Sequence, residues 1–187
     1  IYKALANLAS HDDPILGGEN DCILCASNCV FDVFTTETIL ALAAGRRISV
    51  ADEEEMMLPW KMARRIIKDG ATILQFTPSR MQMCLNEESF CQVLAQIQII
   101  ILMGEPWTMQ LKDRLKKLTD AKIYNIYGPT ETSVYNCQGE IREADAIHIG
   151  KPIGNCRYYL LDKDKEPVMP GAIGEIYIAG ECLAAGY

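Results

Sequence analysis

Asn125-Ile126-Tyr127-Gly128-Pro129-Thr130-Glu131, entered from the short apolar run that ends at Tyr124, is the stretch whose reading decides the fold. Gly128-Pro129 stops helix and ladder alike, because proline fixes its own φ and has no N–H. The stretch therefore reads as a loop leaving the end of a buried strand. In open α/β sheets, ligands gather beyond the carboxyl ends of the strands. The loop offers an amide, an aromatic face, a hydroxyl and a carboxylate. These suit a nucleotide: Asn125 for a base edge, Tyr127 for stacking, Thr130 for a phosphate oxygen and Glu131 for a magnesium ion. The plainer alternative is a turn rich in polar residues.

Working outward, apolar runs of strand length alternate with segments of helical period. Upstream, 21–27, 46–50, 71–76, 98–103 and 121–125 read as strands. The run 98–103 is almost continuously apolar, as a central parallel strand should be. Helices are expected over 35–44, 53–68, 78–85, 87–96 and 107–118, with Pro59 at the first position of the main part of the second and the acidic stretch before it open to reading as a separate turn. Residues 1–8 carry a helical pattern without a cap, which suggests a chain cut from something longer, and 10–20 reads as a loop. Downstream, 134–141, 157–161 and 173–179 read as strands joined by Gly/Pro turns. The expected fold class is α/β: a parallel sheet layered with helices over 1–132, then a small β-rich, incomplete barrel-like part over 133–187.

Composition narrows the function. Nearly half of the 187 residues are hydrophobic, so the chain is globular. No apolar run reaches the ~20 residues of a membrane span, and no secretory signal opens the chain. The formal charge of −7, without a Lys/Arg stripe, argues against a nucleic-acid surface. Any triphosphate must then be held by local groups, since the global field repels it. Of the eight cysteines, Cys22, Cys25 and Cys29 lie closest together. An offset of three along a strand sends Cys22 and Cys25 to opposite faces, which spoils shared metal ligation. Reduced core thiols, and a cytoplasmic setting, are expected.

The loop resembles the Asn-x-Tyr-Gly-Pro-Thr-Glu signature of adenylate-forming enzymes, and within them the amino-acid-activating adenylation domains of nonribosomal peptide synthetases. Phe31-Asp32 with Glu37 resembles that subfamily's Phe-Asp-x-Ser-x-x-Glu pattern, with Phe34 in place of the Ser. Leu102-Met103-Gly104-Glu105 is similar to its Gly-Gly-Glu-like turn, and Ile149-Gly150-Lys151-Pro152 to its Ile-Gly-x-Pro segment. Gly174-Glu175-Ile176-Tyr177-Ile178-Ala179-Gly180 with Gly186-Tyr187 resembles a glycine-rich motif, with Cys182 and Ala185 where Gly and Arg are usual.

The resemblance implies ATP and Mg²⁺ as cofactors. Asn125 would contact adenine, with Tyr127 stacked on one face and the Gly104 backbone on the other. Thr130 would touch phosphate, Glu131 would hold the metal and the Gly128 carbonyl would lie near the substrate amine. Asp32 would pair with the α-ammonium, where a helix N-cap is the alternative role. The substrate pocket would be lined by Asp32, Val33, Thr36, Gln75, Ile101, Met103, Ile126, Val134 and Tyr135. The implied parent makes aminoacyl-AMP and loads a carrier protein through its phosphopantetheine arm, alongside neighbouring domains. The phosphate loop, the ribose-binding Asp and the catalytic Lys would lie outside residues 1–187, so the isolated chain is expected to be an inactive internal piece. An acyl or aryl acid:CoA ligase, and a non-catalytic binding or scaffold module of the same fold, stay open. An unpaired buried Asp32 would be costly in the first of these.

Overall fold

Strand order explains where a ligand can enter. The structure, a computed structural model, describes residues 18 and 20–185. One sheet holds β1 (Cys22–Cys25), β2 (Arg47–Val50), β3 (Ile73–Phe76), β4 (Ile99–Met103), β5 (Lys122–Tyr127), β6 (Cys137–Glu140) and β7 (Lys151–Pro152). Their order is β2-β1-β3-β4-β5-β6-β7. The first five are parallel, and β6 and β7 add to the β5 edge antiparallel. From β1 the chain steps outward to β2, then returns to the other side of β1. That reversal opens a crevice at the carboxyl ends of β1 and β3. A separate antiparallel pair follows, β8 (Cys156–Leu161) with β9 (Glu175–Gly180).

Side-chain alternation along the strands divides the core in two. Cys22, Leu24, Leu74, Phe76, Ile100, Leu102 and Ile123 face one cluster. Ile23, Ile73, Ile99, Ile101, Met103, Tyr124 and Ile126 face the other. Both faces of a parallel sheet must be covered, which is why β4 is apolar at every position. The first face is covered by α3 (Pro59–Asp69), α4 (Pro78–Cys84), α5 (Glu88–Val93) and α6 (Met109–Leu118). The second is covered by the segment between β1 and β2, through Leu40 and Ala41, and by Val134 and Tyr135.

That segment is one helix in three pieces, α1: Val33–Thr35, a π turn over Thr36–Leu40, and Ala41–Ala43. The π turn has a local cause. Thr36 Oγ1 donates to the Val33 carbonyl at 2.7 Å and Thr38 Oγ1 to the Phe34 carbonyl at 2.6 Å. Hydroxyls that bond back in this way compete with the backbone ladder and loosen it.

The expected helix over 53–68 is two helices, α2 (Glu53–Met57) and α3, broken at extended Leu58 with Pro59 opening the second. Asp52 and Glu55 form a reciprocal cap on α2. One expectation is corrected at the organising stretch. The strand expected to end at Asn125 runs on through Ile126 and Tyr127, because these residues pair with Leu102, Met103, Gly139, Gln138 and Cys137 on the two flanking strands. The loop proper begins at Gly128. The helix expected over 1–8, most of the loop over 10–20 and Gly186-Tyr187 fall outside the described residues.

Candidate functional site

A cleft of about 970 Å³ lies over the carboxyl ends of the parallel strands. Ala26 and Ser27 close it from β1, Gln75 to Thr77 from β3, Met103 and Gly104 from β4, and Gly128 to Thr130 from the loop after β5. Asp32 and Val33 face it from the start of α1, and Val134 from beyond the loop.

Residues expected at the site fall into three groups. Asp32, Val33, Gln75, Met103, Gly104, Gly128, Thr130 and Val134 line the cleft together. Thr36, Ile101, Ile126 and Tyr135 stand behind them. Ile101, Ile126 and Tyr135 share one buried cluster with Met103 and Val134, and Thr36 is buried against Gln75. Asn125, Tyr127 and Glu131 sit outside the cleft wall. Asn125 is buried and its Nδ2 donates to the His148 carbonyl at 2.8 Å. Tyr127 is 38% exposed. Glu131 is exposed, and its backbone carbonyl accepts from Ala184 N–H at 2.8 Å.

Asp32 stands at the N-cap of α1, yet its side chain makes no capping hydrogen bond. Behind it, Thr36 spends its proton on Val33, so it can only accept from Gln75, whose Nε2 lies 2.8 Å away. This fixes which way the Gln75 amide points.

The loop after β5 is pinned from below. Thr132 N–H and Oγ1 both donate to the Pro129 carbonyl at 2.9 Å. Asn136 Nδ2 donates to Thr132 Oγ1, and the Tyr158 hydroxyl from β8 donates to Asn136 Oδ1. Asn136 is fully buried, so this relay carries the position of the loop into the core. Backbone geometry here is unusual. Ser133 and Val134 have φ of 62° and 73°, a left-handed conformation that a β-branched residue such as Val134 rarely adopts. Gly128 is required by contact: a Cβ there would collide with Tyr135 Cα and come 2.8 Å from the Val134 carbonyl. Gly104 is required by its φ of 84°.

Three groups at the site had no role in the sequence reading. Arg80, on α4, donates from Nη1 to the Ala26 carbonyl at 2.6 Å and from Nη2 to the Met56 carbonyl at 3.0 Å. Its guanidinium lies 4.9 Å from the Phe76 ring centroid. Burial holds Arg80 below its usual range, while Cys84 and Glu37 push the other way. Ser79 donates its N–H to Glu105 at 3.0 Å and also its hydroxyl, and these bonds hold the Glu105 carboxyl below the usual range. Met56, Met57 and Met83 give the cleft an apolar rim. The available signal was Thr77-Pro78-Ser79, a helix start placed directly after a parallel strand. Thr77 does cap α4, accepting from Arg80 N–H at 3.3 Å.

Among the described residues no group of three or more His, Cys, Asp or Glu is placed to hold a metal. None of their helices is long and apolar enough to cross a membrane.

Comparison with known proteins places this geometry. Residues 2–187 match the family described as AMP-binding enzyme. The chain is 34% identical over 188 residues to a dimodular nonribosomal peptide synthase of Bacillus subtilis (strain 168), covering 99% of this chain and 8% of that protein. It is 33% identical over 172 residues to tyrocidine synthase 3 of Brevibacillus parabrevis, covering 89% of this chain and 3% of that one. Among solved structures, a four-domain nonribosomal peptide synthetase bound to AMP and glycine superposes with a TM-score of 0.86 at 25% identity, over 99% of this chain and 14% of that chain. The Klebsiella oxytoca NpsA N-terminal subdomain shares the fold at a TM-score of 0.84 and 24% identity, over all of this chain and 46% of that one.

Proposed function

The chain belongs to the family of AMP-binding enzymes, and on that premise we propose that its cleft is the amino-acid and adenylate site of an adenylation unit in a nonribosomal peptide synthetase. The observation that carries this reading is Asp32. Its carboxylate lines a largely apolar cleft and is not spent on capping its own helix. A carboxylate in such a place calls for a cationic partner, and a substrate ammonium supplies one.

In the proposed reaction a carboxylate oxygen of the amino acid bonds to the α-phosphorus of ATP, and the bond to the pyrophosphate oxygen breaks. The thiol of a carrier protein's phosphopantetheine arm then takes the aminoacyl group and AMP leaves. The protein's share is positioning and charge compensation. Asp32 holds the ammonium, with the Gly128 carbonyl as a second acceptor. Val33, Gln75, Met103 and Val134 contact the amino-acid side chain, backed by Thr36, Ile101, Ile126 and Tyr135. Tyr127 offers a ring face to adenine, the Gly104 backbone the opposite face and Asn125 an amide at the base edge. Thr130 donates its hydroxyl to a phosphate oxygen.

Glu131 is a lone exposed carboxylate beside this loop. That donor set does not make an all-protein cage, but it fits Mg²⁺, which takes one or two carboxylates and completes its shell with water and substrate phosphates. When bound, Mg²⁺ offsets phosphate charge. A cytoplasmic setting agrees with the free thiols.

The test is amino-acid-dependent ATP–pyrophosphate exchange by the protein that carries this chain, with Asp32→Ala and Glu131→Ala compared on an amino acid and its des-amino acid. Asp32→Ala should lower kcat/KM for the amino acid about ten- to a hundred-fold and spare the des-amino acid. Glu131→Ala should damage both equally. Equal loss of both substrates in Asp32→Ala would make Asp32 a structural residue and remove the main support for an amino-acid substrate.

A further inference from the structure

The site reading leaves Glu37 without a task, although it is the one fully buried carboxylate among the described residues. It sits in the π turn of α1, one turn beyond Asp32 and Val33. Its Oε2 accepts from the N–H groups of Ala26 and Ser27, both at 2.9 Å. Its Oε1 accepts from Ser27 Oγ at 2.7 Å. The Cys25 thiol also bonds to it. Ala26 and Ser27 are the cleft wall at the end of β1. The Ala26 carbonyl is in turn gripped by Arg80 from α4, which lines another wall. The Ala26 peptide is thus held on one side by the helix that carries Asp32 and on the other by the helix that follows β3.

We propose that Glu37 is a positioning residue of this site: its carboxylate ties the β1 end of the cleft to the start of α1, and so sets where Asp32 meets the substrate ammonium. The inference rests on the amino-acid reading above.

A bond of this kind serves geometry more than stability, because a hydrophobic side chain would fill the same space without the desolvation cost of a buried charge. Chemistry also distinguishes the substitutions. Glu37→Ala removes every acceptor and strands the N–H groups of Ala26 and Ser27. Glu37→Gln keeps one oxygen for those two N–H groups and places an NH₂ against Ser27 Oγ, which can accept. Gln is therefore the rescuing variant.

The experiment uses the protein that carries this chain. A panel of the proteinogenic amino acids in ATP–pyrophosphate exchange first identifies the preferred one. For that amino acid, Glu37→Ala should raise KM about tenfold, the scale of losing hydrogen bonds to a charged group. KM for ATP should stay within about twofold, since the hydrogen bonds of Ala26 and Ser27 run to Glu37 and Arg80 and not to the loop assigned to the nucleotide. Glu37→Gln should return the amino-acid KM to within about threefold of wild type. Ser27→Ala, which removes one of the contacts and leaves the charge held by backbone, should raise it about threefold and covers the case in which Glu37→Ala does not fold. A wild-type enzyme inactive with every amino acid overturns both this inference and the reading beneath it. An active wild type in which Glu37→Ala, or failing that Ser27→Ala, leaves the amino-acid KM unchanged, or shifts both KM values alike, overturns the positioning role alone.

Discussion

Gln75 reaches across from β3 to α1 and donates its side-chain N–H to Thr36 at 2.8 Å, a polar bond set in the otherwise apolar floor beneath the cleft. Because Thr36 has already given its proton to Val33, the pair works in one direction only. Thr36→Val should therefore leave the Gln75 amide without its acceptor and cost about 1–3 kcal/mol of stability, read by urea unfolding. Gln75→Leu should cost less, since it removes the donor and leaves Thr36 bonded to Val33. It should instead reorder which amino acids drive exchange, shifting preference toward apolar side chains. An unchanged preference would take Gln75 out of the substrate wall.

The loop after β5 depends on the absence of a side chain at Gly128. A methyl group there would press on Tyr135 Cα and the Val134 carbonyl, both backbone and both held in the core. The neighbouring left-handed residues leave little room to adjust. Gly128→Ala should shift the loop, lower thermal stability by the equivalent of about 1–3 kcal/mol and weaken AMP binding measured by calorimetry. Gly171, which also has a positive φ but open space around it, is the control: Gly171→Ala should destabilise by about 1 kcal/mol without touching AMP binding.

Much of this architecture was legible in the sequence where the signal was local. The unbroken apolar run at 99–103 announced a strand buried on both faces, and Pro59 marked a helix start. The offset between Cys22 and Cys25 placed them on opposite faces. Cys22 packs with the first core, and Cys25 faces Glu37. Features set by distant partners were not legible. β5 runs on through Tyr127 because β4 and β6 supply ladders on both sides, and nothing within the run itself reports that. The π turn arises from two threonine hydroxyls bonding back to the chain, inside what reads as an ordinary helix. Arg80 was invisible as a site residue because both of its partners are backbone carbonyls, which every sequence offers everywhere. The departure at Phe34 is half-buried, with its carbonyl taken by Thr38, and Cys182 is buried.

All eight cysteines are free, and their environments predict an order of reaction. Burial, reinforced by Glu37, pushes the Cys25 thiol up to about 12. Burial pushes Cys156 up to about 12 as well, and Cys84 and Cys137 up to about 11. The thiolate is the reactive form, so each unit above the ambient pH lowers its fraction about tenfold. In the native protein, Ellman's reagent near neutral pH should react first with exposed Cys29 and next with half-buried Cys91. The remaining six should follow only on the timescale of unfolding. In denaturant without reductant, all eight should react. A count below eight would reveal a disulfide.

Glu37 also makes a prediction for pH. Burial raises its carboxyl above the ordinary 4.5, against the opposing hydrogen bonds from Ser27, Ala26 and Cys25. The folded protein therefore holds this proton more tightly than the unfolded chain does. The sign follows from linkage: stability from this group is fully present below the unfolded value and is lost as pH rises through the folded one. Glutamine at the same place carries no charge at any pH and keeps the shape. The unfolding free energy of wild type minus that of Glu37→Gln should consequently fall as pH rises above the ordinary carboxyl value and level off once pH has passed the raised, folded-state value. Arg80, which feels this carboxylate through space, is a guanidinium that stays charged throughout and so does not bend the curve. The measurement is a pair of urea titrations at each pH, on wild type and variant, with the common contributions of exposed groups cancelling in the difference. A difference that rises with pH would mean that the hydrogen bonds outweigh burial and that the ionised carboxylate is itself the stabilising form. A flat difference would mean that Glu37 ionises alike in the folded and unfolded chain, which its burial behind Ala26 and Ser27 does not permit.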